Sequence, residues 1–156
     1  MRRRSSRNRR YDHGGRYDRS IIELLFGRFY RELESISDYL YCSALCEGEY
    51  GELSSELDLV AQLHSKNMKR IGALLVSMGQ DPVVNCHVST RFATSALEGD
   101  GIESILVRLA DSERKDIAAY ERIAELYESE PWAETVNQIL CESRERADML
   151  DRILRS

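Results

Sequence analysis

The sequence predicts an all-α protein, an antiparallel four-helix bundle with one long crossover between its second and third helices. Three observations predict it. Apolar residues recur at helical spacing through four segments. Only two prolines, Pro82 and Pro131, occur in 156 residues. One helical phrase, Glu-x-x-x-Ile-x-x-Tyr, is written twice, at Glu32–Ile36–Tyr39 and at Glu113–Ile117–Tyr120. Positions i, i+4 and i+7 of a helix share one stripe, so each phrase aims a carboxylate, a branched apolar residue and a phenol at the same neighbour.

The elements follow in order. Residues 1–19 are Arg-rich, carry few apolar residues and show no period, which predicts a disordered arm. Ser20 and Glu23 have the spacing of a capping box, so the bundle domain is expected over 20–156, opening with Ile21, Leu25, Phe29, Leu33, Ile36 and Leu40. Gly48 and Gly51 mark a short turn, and a second apolar stripe runs from about Glu52 through Leu57, Val60, Ile71 and Leu75 to a stop at Gly79 and Pro82. Residues 80–100 lack periodicity and read as the long connection. A third helix is expected from about Gly101 to Glu128. A fourth should start at Ser129-Glu-Pro131, with serine as cap and proline in the first turn, and continue to about Leu154.

Composition narrows the function classes. The net charge is −5, yet residues 1–20 hold eight arginines against two aspartates. The body is therefore acidic and the arm basic. Nucleic-acid binding through that arm is a weak expectation, since its arginines lack an ordered helix or a stacking platform. No apolar run is long enough to span a membrane and no secretory signal is visible, so a cytoplasmic protein is expected. The four cysteines include no C-x-x-C, which argues against a zinc ribbon or a rubredoxin-type centre and for reduced thiols.

The candidate site lies on the repeated phrase. His64 and Asn67 form an i, i+3 polar pair beginning 32 residues after Glu32, and Glu145 and Asp148 form another beginning 32 residues after Glu113. Acids and phenols on a face that also carries the core are what a buried metal site in a helix bundle requires.

Over residues 21–155 the chain resembles the ferritin-like di-metal carboxylate superfamily, especially its bacterioferritin and rubrerythrin relatives. Glu32 and Glu113 match the glutamates of the family's first and third helices, Tyr39 and Tyr120 its tyrosines, and Glu145 its fourth-helix glutamate. The segment Ile71–Pro82 is similar to the family's second-helix ending. Three positions depart. His64 stands for a glutamate, and Asn67 and Asp148 stand for the metal-capping histidines.

The resemblance implies a metal centre drawn from Glu32, His64, Asn67, Glu113, Glu145 and Asp148, a mixed O/N set suited to Fe or Mn. The function it implies is iron or manganese handling or oxidative-stress defence. The alternative is a non-catalytic scaffold or assembly protein that has lost the di-metal site, its polar residues pairing among themselves. Ser65 occupies the place of the haem-binding methionine, so no haem is expected. Without a short fifth helix, a homodimer or monomer is expected and a 24-subunit cage is not.

Overall fold

The computed structural model describes residues 17–82 and 101–155. The described residues form four long helices: α1 (Arg19–Cys46), α2 (Gly51–Ser77), α3 (Ile102–Leu126) and α4 (Ala133–Ile153). Residues 1–16 of the expected arm and most of the long connection lie outside the described residues, and Arg19, the last residue assigned to the arm, already opens α1. No helix among the described residues is long and apolar enough to cross a membrane.

Two helix starts differ from the sequence expectation. The first is capped by Asp18, whose carboxylate accepts from the Ser20 amide at 3.1 Å, so Ser20 already lies inside the helix. Aspartate at this point also places negative charge at the positive end of the helix dipole. The fourth begins at Ala133 with no side-chain cap. The chain around Pro131 is spent on tight turns, with Ala133 N–H donating to the Glu130 carbonyl at 3.0 Å. Those turns bring Trp132 into contact with Tyr127, ring centroids 5.6 Å apart, and bury it at the bundle's end.

The end of α2 follows its residues closely. Gly79 adopts φ 77°. Its amide donates to the Val76 carbonyl at 2.9 Å, and the Gln80 amide donates to Leu75, also at 2.9 Å. These two bonds are the Schellman pattern, which satisfies the last free carbonyls and needs a residue tolerant of positive φ.

Contacts between helices set the topology. Phe29 of α1 lies against Gly72 of α2, while Ser43 bonds Ser54, so α1 and α2 run antiparallel. On α3 and α4, Glu113 meets Arg146 and Glu121 meets Arg144, again early against late. Tyr39 reaches Glu113 and Arg28 reaches Asp116, which makes α1 and α3 antiparallel as well. Hence α2 ends at one end of the bundle and α3 starts at the other.

The interior is layered. One apolar cluster gathers Leu25, Phe29, Ile71, Leu75, Ile123, Trp132, Val136 and Ile139. A second gathers Cys42, Cys46, Leu57, Val60, Ile105, Leu109 and Leu150. Between them lies a buried polar belt that includes Glu32, His64, Asn67, Glu113, Ser143 and Arg146. The two caps keep water from the belt, and that exclusion makes every charge within it consequential.

Gly79→Ala tests the helix stop cleanly, because an added Cβ there meets nothing within 4 Å. Only backbone strain changes, so urea denaturation should show a loss of about 1 kcal/mol.

Candidate functional site

Four helices deliver the belt. From α1 come Glu32 and, two turns on, Tyr39. From α3 come Glu113 and Tyr120 in the same spacing. The two phrases face each other and exchange partners. Tyr39 donates its phenol to Glu113 Oε1 at 3.0 Å, and Tyr120 donates to Glu32 Oε1. Burial, followed by the neighbouring carboxylate, pushes both phenols well above their usual range, so they remain donors.

His64 of α2 lies between the two acids. Its Nδ1 is 2.6 Å from Glu32 Oε2 and its Nε2 is 2.7 Å from Glu113 Oε1. An imidazole can donate from both nitrogens only as the cation. Burial works against that charge, but Glu113 and Glu32 outweigh it and push His64 up to about 9. Glu113 shows the complement. Burial would raise it, yet His64, Arg146 and Tyr39 bring it down to about 2. The Tyr39 ring stacks on the imidazole, centroids 5.2 Å apart, and holds its plane.

Arg146 of α4 supplies the second cation. It is 1% exposed, and its Nη2 lies 3.3 Å from Glu113 Oε2 and donates to Ser143 Oγ at 2.9 Å. Two carboxylates, one imidazolium and one guanidinium therefore share the dry centre with no net charge. On the α1–α3 side, Asp116 is held by Arg28 at 2.8 Å and Arg31 at 3.3 Å, and the Arg28 guanidinium lies 5.7 Å from the Tyr120 ring centroid. These groups close the belt laterally. Burial, despite Arg31 and Arg28, raises Asp116 above its own ordinary value. Asp38, one turn before Cys42, is raised by burial to about 7.

Of the six residues the sequence nominated, Glu32, His64, Asn67 and Glu113 are buried in this belt. Glu145 and Asp148 do not join them, for both are exposed. The inward stripe of α4 runs through Ile139, Ser143, Arg146 and Leu150. The separation between partners explains the shift. Glu32 and His64 are 32 residues apart, whereas Glu113 and its α4 partner Arg146 are 33 apart. Equal spacing in the two halves misses by one residue, which on a helix is a rotation of about 100°. The signal was present: Val136, Ile139 and Leu140 continue by threes and fours to Ser143, Arg146 and Leu150. Arg146, Ser143, Asp38 and Asp116 were not anticipated.

The residues present do not fit a di-metal centre. Both imidazole nitrogens are committed, and they hold Glu32 and Glu113 on opposite edges of the ring, so the three groups do not converge on one point. The Asn67 carbonyl oxygen accepts from Arg70 at 3.3 Å, and Arg70 is anchored to Glu142 at 2.7 Å. A guanidinium already sits on Glu113. Among the described residues, no group of three or more His, Cys, Asp or Glu side chains is arranged to hold a metal ion.

The fold is a ferritin-like four-helix bundle, and in this chain its first and third helices each carry a paired carboxylate and tyrosine. Among solved structures the chain is similar to a dodecameric thioferritin, the bacterioferritin-related protein of Bacteroides fragilis. The TM-score is 0.75 and the identity 19%, over 90% of this chain and 88% of that one. No family model and no curated protein matches the sequence.

Two measurements test the network. Glu113→Gln leaves two buried cations with one carboxylate, and denaturation should show a loss of about 3–5 kcal/mol. In the pH profile, His64 has a folded value near 9 against an ordinary 6.5, so its contribution is complete below 6.5 and is lost as pH rises through 9. Glu113, near 2 against 4.5, contributes above 4.5 and loses that contribution as pH falls toward 2. Melting temperature should therefore fall on the alkaline side between pH 7 and about 9.5, and His64→Gln should flatten that limb.

Proposed function

We propose that this chain is a ferritin-like helical module that works by assembly, with its centre closed by an internal ion network in place of a redox metal pair. The observation that carries the reading is the Arg146 guanidinium seated on Glu113 while both nitrogens of His64 are engaged by carboxylates. Iron or manganese handling, which the sequence resemblance implies, would require His64 and Glu113 to give up these partners. It would also require Glu145 and Asp148 to turn inward from solvent.

A surface feature supports the assembly half. Beside its core-facing stripe, α1 carries a second one at Phe26, Tyr30, Leu33, Ser37, Leu40 and Ala44, with alternating spacings of four and three. Tyr30 is 39% and Leu40 50% exposed. Such spacing is the seam by which helices pack side by side. The occupant we assign is a second copy of the chain, packed across a twofold axis. The Bacteroides fragilis protein of the same fold is itself an assembly, a dodecamer.

Two experiments decide between these readings. Protein purified without chelator, loaded with Fe(II) or Mn(II) and desalted should carry far less than one ion per chain by elemental analysis. Stoichiometric metal would end the proposal. In sedimentation, the wild type should run above the 18.0 kDa monomer and a Leu33→Glu/Leu40→Glu variant at it. A monomeric wild type would remove the assembly role.

A further inference from the structure

The flank where α1 meets α3 holds a cleft of about 490 Å³. Arg28 and Arg31 of α1 form one wall, and Arg108, Ser112 and Lys115 of α3 form the other. On α3 those three stand at i, i+4 and i+7, a single stripe. On α1 the two arginines are three residues apart and share a face in the same way. Asp116 forms the floor, its carboxylate buried against Arg28 at 2.8 Å and Arg31 at 3.3 Å.

The cations exceed what Asp116 requires. One guanidinium balances one carboxylate, and Arg28 is the nearer. Arg31 divides its donors among Asp116, Glu34 and the Ser112 hydroxyl. Arg108 and Lys115 stand exposed on the facing wall. The lining holds four bases against two acids. Residues 21–156 as a whole carry 14 basic and 25 acidic side chains, so the cleft inverts the charge of the body around it. The second acid, Asp111, is held by Arg114 at 2.7 Å. A concave region of one sign focuses the field and concentrates ions of the other sign.

We propose that this cleft binds a small phosphate-bearing anion, cradled by Arg28, Arg31, Arg108 and Lys115 with the Ser112 hydroxyl between them. Guanidinium forks engage phosphate oxygens two at a time, and a lysine adds a compact point charge. The volume is that of a small-molecule site. The rim argues against a polymer. Glu34 beside Arg31 is 43% exposed and Asp111 is 58% exposed, and both would repel a continuous nucleic-acid backbone. The site goes beyond the assembly reading and does not depend on it. Arg28 and Arg31 each precede a member of the assembly stripe, Tyr30 and Leu33, by two residues, a rotation of about 200°. Stripe and cleft therefore occupy opposite flanks of α1.

Isothermal titration calorimetry on the full chain at fixed ionic strength, with pyrophosphate and inorganic phosphate as probes, tests the assignment. Pyrophosphate is expected to bind saturably, one per chain, and inorganic phosphate to displace it. Arg108→Gln/Lys115→Gln should weaken pyrophosphate by at least about 10-fold, the scale of one charge-assisted hydrogen bond. Both side chains are exposed, so circular dichroism and sedimentation should be unchanged. Lys66→Gln removes an exposed base that pairs with Glu142 between α2 and α4, and should leave binding as in the wild type.

The assignment is overturned if the wild type shows no saturable uptake, or if the double variant binds as tightly as the wild type. Equal losses in the double variant and in Lys66→Gln would also overturn it, since net charge and not the cleft would then be acting. A single-stranded oligonucleotide that binds more tightly than pyrophosphate, with affinity rising with length, would replace the small anion by nucleic acid. The sedimentation of the wild type is read separately, so the anion site and the assembly module fail independently.

Discussion

Two carboxylates held in a water-free interior are the constraint on which the rest of this structure depends. Glu32 and Glu113 are each 2% exposed, and burying an ion of that size costs several kcal/mol even after relaxation. The surrounding residues respond to that cost. His64 spans the gap and gives a hydrogen bond to each acid. Arg146 adds a second positive charge, and the two tyrosines donate from opposite sides. Remove any one cation and the remaining groups are left unbalanced in a medium that screens poorly.

This arrangement also accounts for the shape of the core. A bundle of four long helices could be apolar from end to end, but here the apolar contacts divide into two clusters separated by the ionic belt. Directional bonds inside the belt fix the rotation of each helix about its axis in a way that leucine packing alone does not. The reciprocal Tyr39–Glu113 and Tyr120–Glu32 bonds tie α1 to α3, which otherwise meet mainly through Arg28, Arg31, Ser112 and Asp116. The belt thus contributes register as well as charge balance.

The fold is shared with proteins of very different sequence, as the 19% identity at a TM-score of 0.75 shows. Shared architecture leaves the chemistry open, because function resides in the few side chains mounted on it. In this chain an imidazolium and a guanidinium neutralise the two buried acids from within the bundle.

Much of this was legible in the amino-acid sequence. The helical periods, the turn at Gly48–Gly51, the stop at Gly79 and the doubled Glu-x-x-x-Ile-x-x-Tyr phrase placed α1, α2 and α3 and the facing pairs of acid and phenol, because each depends on spacing within a single helix. The cap at Asp18 and the start of α4 were not legible at that level, since competing local bonds decided them. What only the tertiary structure decided was which charged residue of α4 meets Glu113. A difference of one residue, a rotation of about 100°, exchanges Glu145 for Arg146 in the centre. Local sequence determines where a helix forms and which of its residues share a stripe. The sign of the charge that meets Glu113 depends on how two helices are turned against each other, and only packing fixes that.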